Sequence, residues 1–371
     1  MADEPSTRPR NPLWKRAIAF ESRCVNKLMG PKQQSTKAYL LRISIELLEE
    51  IISHLDLLSQ FMLSRTCRAG RILTQKDWKD ASLALPASEQ ISFWAAVAYK
   101  LPNHWVCARC CALHETDRSD TPRSQQSPPC QQGETLDTLG RSYKLRHTHI
   151  ELALKFRRMG TNTAYFSELL EPCEYRTYRG AESWKSGSPN VTIHIPRIVE
   201  GRFCLQVIKE FHGYEALHEI RSFRICRHQL FPWWYWGIKD WGVFEKNMEA
   251  AWHHPGNVYD GHCQCCPVDY SILRDDDVLR VTLWYDFGTG KSPRDLEWMV
   301  HLGDETDIYS NGLYVNVKDH EPGSIRKSFQ QSSFNHMVRD LLRGWYKLDE
   351  VSFVTGLELI LHYSRRSHRI H

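Results

Sequence analysis

The feature that most constrains this chain is a pair of short cysteine motifs in distant parts of the sequence, Cys107-Ala-Arg-Cys110 and Cys263-Gln-Cys265-Cys266. Two thiolates separated by two residues can grip one metal ion at the roughly 2.3 Å sulfur distance of zinc, and two such pairs complete a tetrahedron. The spacing therefore predicts one structural zinc ion on Cys107, Cys110, Cys263 and Cys266, tying the N-terminal edge of a large body to its centre. The register stays open, because Cys111, His114, Cys226, His228, His262 and Cys265 are also available. A Cys3His site, two sites, or buried thiols without metal are the alternatives. Structural zinc is closed to water, which argues against metal-assisted hydrolysis. The twelve cysteines are thinly spread over 371 residues and partly clustered as CARCC and CQCC, a pattern that fits ligation or burial better than a disulfide scaffold.

At 42% hydrophobic residues the chain can bury at least one sizeable core, and its length suggests two domains. Its longest near-continuous apolar stretch, Phe93 to Tyr99, is far shorter than the roughly 20 residues that cross a bilayer. The start MADEPSTRPRNPLWKR lacks the apolar core of a signal peptide. No membrane is expected as a partner, and cytoplasm or nucleus is the expected location. A formal net charge of +4 is small for this length and does not indicate a nucleic-acid surface.

The chain divides by composition into a flexible arm at 1–38, a helical module at 39–80 and a body at 81–371. The body carries a disordered insert near 115–138, where ETDRSDTPRSQQSPPCQQGETLDT is rich in Pro, Gln and Ser. The fold class expected is α+β. VTIHI at 191–195, RFCLQVIKEF at 202–211 and VLRVTLWYDFG at 278–288 have the aromatic and β-branched content of strands in an antiparallel sheet. LYVNV and SFVTGLELILHY could add another pair. LRHTHIELALKFRRM and TAYFSELLEP have helical spacing.

Within the module, Leu48, Ile51, Ile52 and Leu55 recur at helical spacing, with Glu46, Glu49, Glu50 and Ser53 on the complementary face. A break at Asp56 precedes a second helix with Phe61 and Met62, and Cys67, Ile72 and Leu73 mark a third. Helices this short cannot bury their faces alone, and Ser88, Ile91, Trp94, Ala95 and Ala98 supply a fourth stripe to pack against. On these residues, from Leu41 and Ile45 through the break LDLLSQ to the run LSRTCRAGR, the segment 39–78 resembles the F-box. That family is a three-helix module that docks the adaptor subunit of cullin-type ubiquitin ligases. Ser44 stands where the family's opening "LP" has proline, and Gly70 is read as interrupting the last helix.

The resemblance implies adaptor contacts from Leu47, Leu48, Ile51, Ile52, Leu55, Phe61 and Met62, and a body that presents an unknown protein target. The wider order of F-box, WVCxRCCxLH, insert, RICRH element and CxxCP followed by DY is similar to that of a family of fungal F-box proteins. Two readings remain beside it: a zinc-stabilised nucleic-acid or protein interaction module, and an enzyme.

No catalytic set emerges from the sequence, and the chain is not expected to be an enzyme. Gly290-Lys291-Ser292 lacks the earlier glycine of a phosphate loop and is followed by Pro293. Asp286-Phe287-Gly288 has no accompanying kinase motifs. His147-Thr-His149, His253-His254 and Asp275 to Asp277 are read as structural. The run FPWWYWGIKDW, with Trp233, Trp234, Trp236 and Trp241, reads as a packed aromatic seam or a recognition groove.

Overall fold

The computed structural model describes residues 43–124, 130, 136, 139, 142–161, 163–177, 190–212, 224–226, 228–230, 242–302 and 320–332. The arm at 1–38, the tryptophan run at 231–241 and the two strand candidates LYVNV and SFVTGLELILHY lie outside them.

Short helices open the described chain: α1 (Ile45–Ser53), α2 (Leu57–Ser64), α3 (Arg68–Leu73), α4 (Trp78–Leu83) and the longer α5 (Ala87–Ala98). Their breaks follow local chemistry. Asp56 caps α2 by accepting from the Ser59 amide at 2.6 Å, and Asp77 caps α4 through the amides of Lys79 and Asp80. Leu48 and Ile52, one turn apart on α1, are buried, as is Phe61 of α2. Phe61 meets Trp78 and Phe93 edge-on, at ring centroid distances of 5.3 and 5.5 Å, so α5 closes the module as the fourth stripe predicts.

Gly70 does not interrupt a helix. It is buried inside α3, where an added Cβ would lie 2.6 Å from the Leu63 carbonyl oxygen. The glycine is there because α3 crosses the end of α2 too closely for a side chain.

The body is an antiparallel α+β unit. A hairpin of β1 (His104–Cys107) and β2 (Ala112–Glu115) leads to α6 (His147–Arg158) and α7 (Ala164–Leu169). A six-stranded sheet follows, of β3 (Cys173–Thr177), β4 (Asn190–Val199), β5 (Arg202–His212), β8 (Val258–His262), β9 (Val268–Asp275) and β10 (Val278–Asp286), in the order β3-β4-β5-β10-β9-β8. The small ribbon β6 (Arg224–Cys226) and β7 (Gln229–Leu230), α8 (Gly242–His253) and the short α9 (Leu296–Met299) complete the labelled elements.

Two-residue turns set the sheet register: Glu200-Gly201 joins β4 to β5 with both residues at positive φ (51° and 76°), the primed geometry that matches strand twist. The three aspartates at 275–277 form the β9–β10 turn, with Asp276 at φ 47°.

Alternation places the sheet between two layers. Phe203, Leu205, Val207, Val281, Leu283 and Tyr285 point into the main core with α6 and α8, while Cys204 and Trp284 face a second cluster with Ile325 and Phe329 from the helical stretch 324–332. Asp269 of β9 starts that stretch: its carboxylate accepts from the amides of Gly323, Ile325 and Arg326 at 2.9–3.1 Å.

Part of the stretch read as a disordered insert is packed. Asp120 and Leu136 are buried, and Asp120 pairs with Arg146 and His149 at the start of α6. Burial and the Arg146 charge hold His149 neutral, far below its ordinary pKa, so it donates through Nε2 to Asp120.

Candidate functional site

Three features outside the regular core carry chemistry, and the first is the surface of α1. Leu48 and Ile52 turn inward, which leaves Leu47 and Ile51, at i and i+4, on an exposed face with 53% and 44% of their surface open. Ile45 and Ile72 are also exposed, whereas Leu55 and Met62 are half-buried. The seven candidate adaptor contacts thus separate into a core group, Leu48, Ile52 and Phe61, and an accessible group led by Leu47 and Ile51. Ser44 precedes α1 with φ −59° and ψ 151°, the backbone a proline at this position would hold.

The second feature is built on the β1–β2 turn. Cys107 ends β1, Cys110 lies in the turn, and His114 sits opposite Trp105 in the register, which puts Trp105, Cys107 and His114 on one face of the ribbon. The His114 ring stacks on Trp105 at 4.7 Å and its Nε2 lies 3.9 Å from the Cys130 sulfur. The ligand atoms of Cys107, Cys110, His114 and Cys130 all lie within 4.8 Å of one another. The Cys110 amide points at the Cys107 sulfur at 3.4 Å.

The third feature joins two turns. Cys226 and His228 flank the β6–β7 turn, Cys263 and Cys266 occupy the β8–β9 turn, and their four ligand atoms again lie within 4.8 Å of one another. The Gln229 side chain binds the His262 carbonyl at 3.2 Å and locks one turn to the other. The Cys265 amide donates to the Cys263 sulfur at 3.4 Å. His228 Nδ1 is buried with no hydrogen-bond partner among the described residues.

Both clusters could hold a metal ion. The expectation of a single site on Cys107, Cys110, Cys263 and Cys266 is corrected on this point: each pair lies in its own hairpin turn and gathers its own third and fourth donors. The sequence signal for the second set was the Cys226-x-His228 spacing beside CxxC. Cys130 gave only the weak signal of a lone cysteine in a polar stretch.

Burial and neighbouring sulfurs perturb several of these thiols. Burial pushes the Cys226 and Cys266 thiols well above their ordinary range, hydrogen bonds from Cys226, Cys265 and Cys266 pull Cys263 down, and burial lifts Cys130 to about 12. Three clustered thiols in each set cannot all ionise without a compensating cation.

The sites rejected on sequence have structural occupations. Asp286 pairs with Arg202 at 2.6 Å, and Glu297 joins from the other side at 2.8 Å. Gly290 takes φ 57° where an added Cβ would press on Leu154 and Ile150 of α6. His147 is buried in α6, and that burial lowers its pKa to about 3.

Comparison with known families identifies the helical module. Residues 40–71 match the F-box domain, which covers α1, α2 and the first turn of α3. An F-box domain supports a substrate-recognition role in cullin-type ubiquitin ligases, through an adaptor subunit. No curated protein and no solved structure matches the chain. No helix among the described residues is long and apolar enough to cross a membrane.

Proposed function

We propose that this chain is a substrate-recognition subunit that docks the adaptor of a cullin-type ubiquitin ligase through its F-box and presents a protein target on its α+β body. The observation that carries the reading is the split face of α1. Leu48 and Ile52 are buried inside the module, yet Leu47 and Ile51 remain open beside them. An amphipathic helix whose core is complete but whose neighbouring face is still apolar is suited to lie in a partner's groove.

In this role the chain performs no covalent chemistry. It raises the effective concentration of a target near a separate ubiquitin-transfer enzyme. The body's cysteine clusters serve as structural zinc sites, for which the Cys and His donors are the matching ligand type.

The test is direct binding of the purified full chain to a purified adaptor, read by size-exclusion chromatography with light scattering. A stoichiometric complex is expected. Two folded proteins that elute separately at micromolar concentration would remove the docking reading.

A further inference from the structure

We infer that the chain binds two zinc ions in separate Cys3His sites, one on Cys107, Cys110, His114 and Cys130 and the other on Cys226, His228, Cys263 and Cys266. This deepens the structural-zinc reading and is independent of adaptor docking.

Geometry comes first. Four donors around zinc at 2.0–2.3 Å and tetrahedral angles stand about 3.6–3.8 Å from one another. Both sets come within about 1 Å of that scale, since every pair of ligand atoms is within 4.8 Å and His114 Nε2 is 3.9 Å from Cys130. Closing either tetrahedron needs only sub-ångström adjustments of side chains already gathered.

Donor chemistry then selects the metal. Three sulfurs and one imidazole exclude the hard, oxygen-seeking cations, and a complete four-donor shell without an open position is the arrangement of structural zinc.

Each site also has the outer contacts that a thiolate-bound metal requires. Backbone amides point at Cys107 and at Cys263, donating to sulfur and offsetting its negative charge. Stacking on Trp105 fixes the His114 ring, and the buried His228 Nδ1 has no hydrogen-bond partner among the described residues. A buried imidazole nitrogen without a partner is costly unless a ligand takes it.

The two ions would close different gaps. The first ties the β1–β2 hairpin to Cys130, within the polar stretch that follows β2. The second ties the β6–β7 ribbon to the β8–β9 turn at the sheet edge.

Zinc content of reduced, full-length protein, measured by mass spectrometry after desalting, separates one site from two. Cys130 and Cys226 decide the matter because neither belongs to a CxxC pair. Two zinc per chain are expected, falling to one in Cys130→Ser, to one in Cys226→Ser and to none in the double variant.

Cys130→His and Cys226→His retain a four-donor set and are expected to keep two ions. Cobalt substitution should then show a weaker sulfur charge-transfer band than in the parent, while the intense visible bands of tetrahedral cobalt persist. These variants guard against loss of metal through misfolding alone.

One zinc in the parent that survives the double serine change would overturn the two-site assignment in favour of a shared site. No zinc in the parent would overturn the metal reading as a whole. Neither result touches adaptor binding, which is measured separately on the same preparations.

Discussion

Replacing Leu47 and Ile51 together by alanine isolates the exposed face of α1 from its core. Full burial of a leucine or isoleucine side chain contributes about 1.5–3 kcal/mol. These two have 53% and 44% of their surface open, so about half of that, roughly 0.8–1.5 kcal/mol each, remains for a partner to bury. The pair should therefore weaken adaptor binding by about 1.5–3 kcal/mol, or about 10- to 150-fold in Kd.

Folding should change by no more than about 0.5 kcal/mol, because neither side chain is in the core and alanine is the best helix former. Leu48→Ala is the contrasting variant. With 6% exposure it should cost the helical module about 2–5 kcal/mol of stability. Titration calorimetry with purified adaptor reads the first effect, and thermal and urea unfolding read the second. A folded Leu47→Ala/Ile51→Ala variant that binds within threefold of the parent would refute the assignment of this face.

Gly70→Ala should destabilise the helical module by about 1–3 kcal/mol in urea unfolding, because the new Cβ would stand 2.6 Å from a backbone oxygen that cannot move aside. Ser44→Pro should raise stability by about 0.4–1 kcal/mol, since φ is already −59° and proline removes freedom only from the unfolded chain. His194 is stacked on Tyr143 at 4.3 Å, donates to the Leu139 carbonyl at 3.1 Å, and is held by burial at a pKa of about 4. Its folded pKa lies below the unfolded one, so its neutral form stabilises fully above about pH 6.5 and that stability drains as pH falls toward 4. The loss between pH 7 and pH 5 is about 2 kcal/mol, and His194→Gln should flatten the stability profile by that amount.

The sequence revealed more of the fold than of the candidate metal sites, for identifiable reasons. Apolar spacing marked α1, α5 and α6, and the β-branched runs marked β4, β5 and β10, because each sends a run of side chains into the core; α6 and β10 are buried on more than one side. β9 escaped notice: VDYSILRD mixes Asp269 into an inward-looking run, and that aspartate is there to start the helical stretch 324–332, a tertiary role with no local signature. Gly70 looked like a breaker because propensity cannot register that α3 crosses α2 at carbonyl distance. The CxxC pairs were visible as candidate metal grips, but which donors come together depends on the tertiary fold. Cys226 and His228 meet Cys263 and Cys266 from a separate ribbon, and Cys130 reaches His114 across a stretch with no regular pattern.

The connection between the F-box and the body is itself structured, and this bears on the proposed role. α5 touches the F-box core through Phe93 against Phe61, and the same helix packs Ile91 and Ala95 on Val106 of β1. β1 is held from behind by α6, where Glu151 accepts from the Val106 amide and Lys155 reaches the His104 carbonyl. Burial raises the Glu151 pKa and lowers that of Lys155, and their 3.0 Å contact offsets both penalties. Removing either partner would leave a buried charge facing the hairpin. A receptor joined to its ligase by a flexible linker offers its target over a wide volume, whereas a helix packed on both units fixes one distance and one orientation. The buried pair on α6 and the cysteine cluster at the end of β1 therefore act on the same property, the rigidity of the hairpin through which the F-box meets the body.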